Sequence, residues 1–147
     1  MLAETPGNLY VIALIAGQRV AFEAATVAAV VDLANIVPVP LAPPHVIGVC
    51  ALRSLILTVV DLAGALGQPL EQLSRRAVTM EIGGHHYAFV VSSVEQVEPS
   101  TEKPQAIDAS IGADWKSAAT ARVQTESGTA LLLNPQCLVG AHAGITQ

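Results

Sequence analysis

At 147 residues the chain is long enough for one domain, or for two small barrels sharing a core, and a chain of this size buries about 70% of the surface its unfolded form exposes. Apolar residues make up 52% and charged residues 13%, so part of the apolar area must stay at the surface, where a protein partner can cover it. A net charge of −5 and 3% aromatics exclude a nucleic-acid surface, which needs clustered lysine and arginine and stacking platforms.

The opening MLAETPGNLY has no basic region and contains Glu4 and Pro6, unlike a secretory signal, and the protein is expected in the cytoplasm. LYVIALI, residues 9–15, is short, β-prone and bounded by Asn8 and by Ala16-Gly17-Gln18, which predicts a first strand; residues 19–23 return as its hairpin partner. Residues 24–33 are ambiguous, since the alanines favour helix whereas Val27, Val30 and Val31 favour strand. The apolar window 20–37 approaches the length of a membrane span. Glu23, Asp32 and Asn35 interrupt it and no cationic flank follows, so strands are predicted and insertion into a membrane is not.

Pro38, Pro40, Pro43 and Pro44 each fix φ and remove a backbone donor, so this segment is neither helix nor central strand but a stiff surface connection. Residues 46–52 and 55–60 are aliphatic on both sides of Arg53 and Ser54, which predicts two buried strands meeting at a tight corner. Asp61 then caps a short helix, LAGALG, closed by Gly67. QPLEQLSRR is a loop and the natural boundary between two halves. Residues 77–82 and 87–91 flank Gly83-Gly84-His85-His86 as a second hairpin, and 94–98 follow as a strand. Residues 99–117 cross the surface as a long loop. The last strands are 118–124 and 129–133, turning at Ser127-Gly128, and Asn134-Pro135 starts a short terminal helix over 136–139. DLAGALG and NPQCLVG end the two halves alike, a weak internal repeat that fits two related small barrels and not a βαβ fold.

No catalytic, metal or cofactor site emerges. His85 and His86 sit in a turn where side chains diverge, and His45 and His142 stand alone, so no convergent ligand set forms. Ser92 and Ser93 have no neighbouring base and read as turn residues. Glu95, Glu98, Glu102 and Asp108 read as a solvated polar face, since no apolar pocket sequence accompanies them. Gly64 and Gly67 follow a helix where a phosphate loop opens one. Cys50 and Cys137 lack any metal or redox spacing and sit among aliphatics, where free cysteine packs as a small hydrophobe. Arg53 has two readings from the residues alone. In one its stem lies over Leu52 and Leu55 and its head is in water or paired with a carboxylate such as Asp61; in the other it anchors an interface.

The run from Val37 to Gly67 resembles the CheW family of chemotaxis coupling proteins: Pro40, Gly48, Leu52, Arg53, Asp61, Leu62, Leu66 and Gly67 fit the family pattern in order. Ala51 stands where the family usually has asparagine, Ser54 where it has glycine, and Ala29 where a glutamate follows the valine at position 27. Ser92 and Ser93 stand where the second barrel usually has Asp and Gly. The resemblance implies an all-β fold of two SH3-like five-stranded barrels side by side, with short capping helices and a groove between them. It resolves residues 24–33 as a brief turn followed by a strand. The expected division is one CheW-like domain over 1–147, with a first barrel over about 19–75 and a second over about 76–140. Strand 9–15 is open to joining the second barrel, and 141–147 form a flexible tail.

The same resemblance implies a non-catalytic adaptor without cofactors, cytoplasmic and recruited to membrane receptor arrays. Its partners are the cytoplasmic tip of a chemoreceptor and the regulatory domain of a CheA-type histidine kinase. Val27, Val30, Gly48 and Arg53 are the partner-binding candidates, and the matching arginine in the family lies in the receptor-binding and kinase-coupling region. A paralogue that blocks or redirects receptor or kinase in a non-chemotactic two-component pathway is the alternative, and a small-molecule-binding barrel or enzyme is the third.

Overall fold

The computed structural model describes residues 9–42, 46–66, 75–107 and 119–134. β1 (Leu9–Ile15) and β2 (Gln18–Glu23) form a hairpin, and a 3-10 turn (Ala24–Thr26) leads to β3 (Ala29–Asp32). β4 (Val46–Leu52) and β5 (Leu55–Asp61) form the next hairpin and run into α1 (Leu62–Ala65). β6 (Arg76–Ile82) and β7 (His85–Val90), β8 (Ser93–Pro99), and β9 (Ala119–Thr125) and β10 (Gly128–Leu133) repeat that succession of hairpin, single strand and hairpin. His85 and His86 thus belong to β7, and only Gly83 and Gly84 make the turn; both have positive φ, as the tight two-residue hairpin requires.

Two five-stranded sheets result, with orders β8-β1-β2-β10-β9 and β3-β6-β7-β5-β4. Each curls around its own core, and neither is built from one half of the chain. The β6–β7 hairpin joins the sheet of β3, β4 and β5 through a parallel pairing of β5 with β7, and the β1–β2 hairpin joins the other sheet through β10. The expected bounds of the barrels, 19–75 and 76–140, are corrected accordingly: β2 belongs with β8, β9 and β10, where strand 9–15 also pairs in the place left open for it, and the β6–β7 hairpin belongs with β3, β4 and β5. The loop composition near residue 75 marks the boundary of the repeat, but it carries no information on non-local pairing, which depends on which apolar faces meet.

The repeat itself runs deeper than its helical ends. Val11, Ile15, Gly17, Ala21 and Phe22 recur as Val78, Ile82, Gly84, Ala88 and Phe89 at equivalent registers of β1–β2 and β6–β7. Even the isolated bridges match, Val37 with Val49 and Gln105 with Arg122. Numbered by their first strands, the barrel of β1, β2 and β8 to β10 is the first and that of β3 to β7 the second; the second is filled by Leu33, Cys50, Leu57, Val59, Ala77, Ala88 and Val90. The first barrel is filled by Tyr10, Ile12, Ala21, Val123 and Ala130. Between them lies a larger core to which Phe22, Val20 and Ile15 contribute from one sheet and Phe89, Val78 and Met80 from the other.

Asp61 behaves as the sequence predicts: its carboxylate accepts from the backbone of Ala63 at 3.0 Å and of Gly64 at 3.4 Å, which satisfies the first turn of α1. The expected terminal helix over 136–139, the closing Gly67, the tail 141–147 and Cys137 lie outside the described residues. Cys50 is buried and burial pushes its thiol up, in keeping with its reading as packing. No helix among the described residues is long and apolar enough to cross a membrane.

Candidate partner-binding site

β4 and β5 pair as far as Leu52 opposite Leu55, which leaves Arg53 and Ser54 as the two residues of the corner. Both carry positive φ, 53° and 71°, the geometry of a type I′ turn, whose backbone twist matches that of the strands it joins. Neither residue is glycine, so the corner holds strain of about 1–2 kcal/mol per residue in the left-handed region. The turn lifts the hairpin tip clear of the barrel: Leu55 is 44% exposed and Ile56 64%. The sequence reading of two fully buried strands is corrected at this end, because alternation breaks where Leu55 and Ile56 both face outward beyond the last packed residue, Leu57.

Arg53 is exposed and has no ion pair among the described residues. The pairing with Asp61 does not form, since Asp61 caps α1 at the opposite end of β5. Arg53 instead lines a cleft of about 160 Å³ at the mouth of the second barrel, together with Ala28, Ala29, Leu52, Leu55, Thr79 and His86. Thr79, buried on β6, donates its hydroxyl to the Ala29 carbonyl at 3.3 Å, which satisfies this buried group.

The other sequence candidates do not meet there. Val27 closes the 3-10 turn and packs against the core between the barrels. Val30 lies on the outward face of edge strand β3, 37% exposed. Gly48 is buried beneath Val37 and Pro38, whose backbone occupies the space a side chain would need. It therefore shapes the surface by allowing the proline-rich segment to lie flat and offers no side chain of its own. Leu55, Ile56, Ala28, Thr79 and His86 were missed. Leu55 and Ile56 carried a usable signal, since residues flanking a two-residue corner stand at an exposed tip; the others are joined by pairing across β3, β6 and β7, which no local pattern reports.

The equivalent mouth of the first barrel is built differently. At its corner Ser127 donates its backbone N–H to Glu98 at 3.3 Å and its hydroxyl to the same carboxylate, and accepts the Gln96 amide at 2.7 Å. Arg19 pairs with Glu95 beside them. Glu98 is buried, which corrects the reading of a wholly solvated acidic face: the Ser127 hydroxyl and then that of Thr125 hold its carboxyl below the usual range, against the opposing push of burial. Glu102 accepts from the Gln105 side chain at 3.0 Å, and Asp108 lies outside the described residues. Ser92 accepts the Ala16 N–H at 3.3 Å, a turn role as read from sequence. Among the described residues no group of His, Cys, Asp and Glu is placed to hold a metal.

An exposed arginine beside a mostly apolar cleft, on two five-stranded sheets that share a core, is the arrangement a partner at this end of the molecule would meet. The chain belongs to the CheW-like domain family, whose model matches residues 9–142, and its role is that of a chemotaxis coupling adaptor. Among solved structures it is similar to the scaffolding protein TtCheW from Thermoanaerobacter tengcongensis, with 22% identity and a TM-score of 0.80 over 91% of this chain and 88% of that one. That likeness establishes the fold of two SH3-like barrels. A comparison with curated proteins found no match.

Proposed function

We propose that the chain joins the cytoplasmic tip of a chemoreceptor to the regulatory domain of a CheA-type histidine kinase, and that the receptor docks on the Arg53 end of the second barrel. The observation that carries this reading is Arg53, a cation with no ion pair among the described residues, held on a strained turn beside exposed Leu55 and Ile56. Desolvating the guanidinium costs free energy that a directed ion pair with a carboxylate on the docking helix offsets, and the flanking aliphatics supply the buried area. Recruitment to membrane arrays follows from receptor binding and needs no membrane contact by the adaptor. Modest individual affinities are compensated by avidity when many copies are ordered together. No bond is made or broken in this role.

A second reading is favoured by the hydrogen-bonded corner of the first barrel, where Glu98 and Gln96 both tie down Ser127. A chain that docks a partner through the Arg53 end alone occupies that partner without bridging two, and so blocks or redirects signalling. A three-component pull-down separates the two: receptor, adaptor and kinase recovered together support coupling, and receptor with adaptor alone supports blocking.

A further inference from the structure

The two barrels share one topology, yet their mouths differ in what fills them. Gln96 on β8 occupies the position equivalent to Ala29 on β3, opposite Ile12 as Ala29 is opposite Thr79. Its amide reaches across to Ser127, so that mouth is bridged. Ala28 and Ala29 reach nothing across theirs, and a cleft of about 160 Å³ stays open between them and Leu52, Leu55 and Leu57. The walls are mostly apolar, with the Thr79 hydroxyl already bonded and His86 at one side, and among the described lining residues the formally charged one is Arg53.

We propose that this open mouth is a socket for one large apolar side chain of an acidic amphipathic helix, with Ala29 setting the size of side chain accepted and Arg53 pairing a carboxylate one turn away on the same helix face. The volume is that of a single large side chain, and leucine, methionine or phenylalanine suits the walls. A carboxylate is the charge complement: among the described residues lining this rim, Arg53 is the formally charged one and has no ion pair. Residues one turn apart on a helix share a face, so socket and guanidinium can be engaged together. This rests on the reading above that the Arg53 end meets a receptor helix, and it adds what that helix must carry.

The test is calorimetric titration of the full chain with the soluble cytoplasmic hairpin of a chemoreceptor from the same organism. Ala29→Leu fills the socket and leaves Arg53 untouched; Ala28→Leu narrows it from the rim and serves as a second, independent filling variant. Both are expected to weaken binding roughly tenfold or more, the worth of one buried apolar side chain, with an unchanged melting temperature. Arg53→Gln is expected to weaken it too, and to flatten its salt dependence. If both filled variants bind within twofold of wild type while Arg53→Gln loses affinity, the socket is overturned and receptor docking stands. If the wild-type chain does not bind the hairpin, receptor docking falls and the socket with it.

Discussion

The carbonyl oxygen of Val37 lies 2.1 Å from the point a β-carbon on Gly48 would occupy, and the Val37 carbonyl carbon lies at 2.7 Å. Both are backbone atoms held by the paired hydrogen bonds between Val37 and Val49, each 2.8 Å, so they cannot swing aside as a side chain would. Gly48→Ala must push the segment off β4 and break those bonds. A loss of about 2–3 kcal/mol is expected, read as a lowered urea midpoint. Ala121 stands at the equivalent place on β9 and already carries a β-carbon, so Ala121→Gly is expected to cost less than about 1 kcal/mol.

Ser54 sits at a φ of 71°, which glycine adopts without penalty. Ser54→Gly is therefore expected to raise stability by about 1 kcal/mol, or a few degrees in melting temperature, because the relief of left-handed strain exceeds the added entropy of the unfolded chain. Partner binding should be retained. A fall in melting temperature would mean that the corner is not held in this turn.

Glu98 gives the chain an acid-sensitive joint. Its carboxyl is held below the usual range in the fold, so as pH drops the unfolded chain takes up the proton first. The stabilisation is complete above the unfolded value of about 4.3 and is lost as pH falls through the lower folded value. Glu98→Gln, which mimics the protonated group, should be less stable than wild type at neutral pH, and the difference should shrink toward pH 3. Urea unfolding at the two pH values measures it.

Asp61→Ala removes the acceptor for the backbone of Ala63 and Gly64 at the start of α1 and leaves those donors unpaired in a buried setting. The expected cost is about 1–2 kcal/mol, and Asp61→Asn should recover a large part of it. Thermal unfolding of the three proteins provides the comparison.

Local chemistry made much of this fold legible. Gly83-Gly84 marked a hairpin, the prolines marked a surface connection, and Asp61 before an alanine-rich run marked a capped helix. Pairing over long separations was not legible. Phe22 and Phe89 read as ordinary strand residues, and nothing near either one says that their hairpins exchange barrels to meet in a shared core. The site divides in the same way. Arg53 stood out because a cation between aliphatic strands breaks a local pattern. Ala29 and Thr79 are small or ordinary residues that matter only because register brings them beside it. Gly48 fits the family run in the sequence, but the close approach of the Val37 and Pro38 backbone that it permits depends on a pairing with β4 that no local pattern reports.

The central claim is that Arg53 docks a partner and does not hold the fold together. Arg53→Glu reverses the charge at an exposed corner with no ion pair to lose among the described residues, so its melting temperature should stay within a few degrees of wild type. Affinity for the receptor tip, measured by calorimetry on the same preparation, is predicted to fall below detection. Undiminished binding by the folded Arg53→Glu protein would contradict the account.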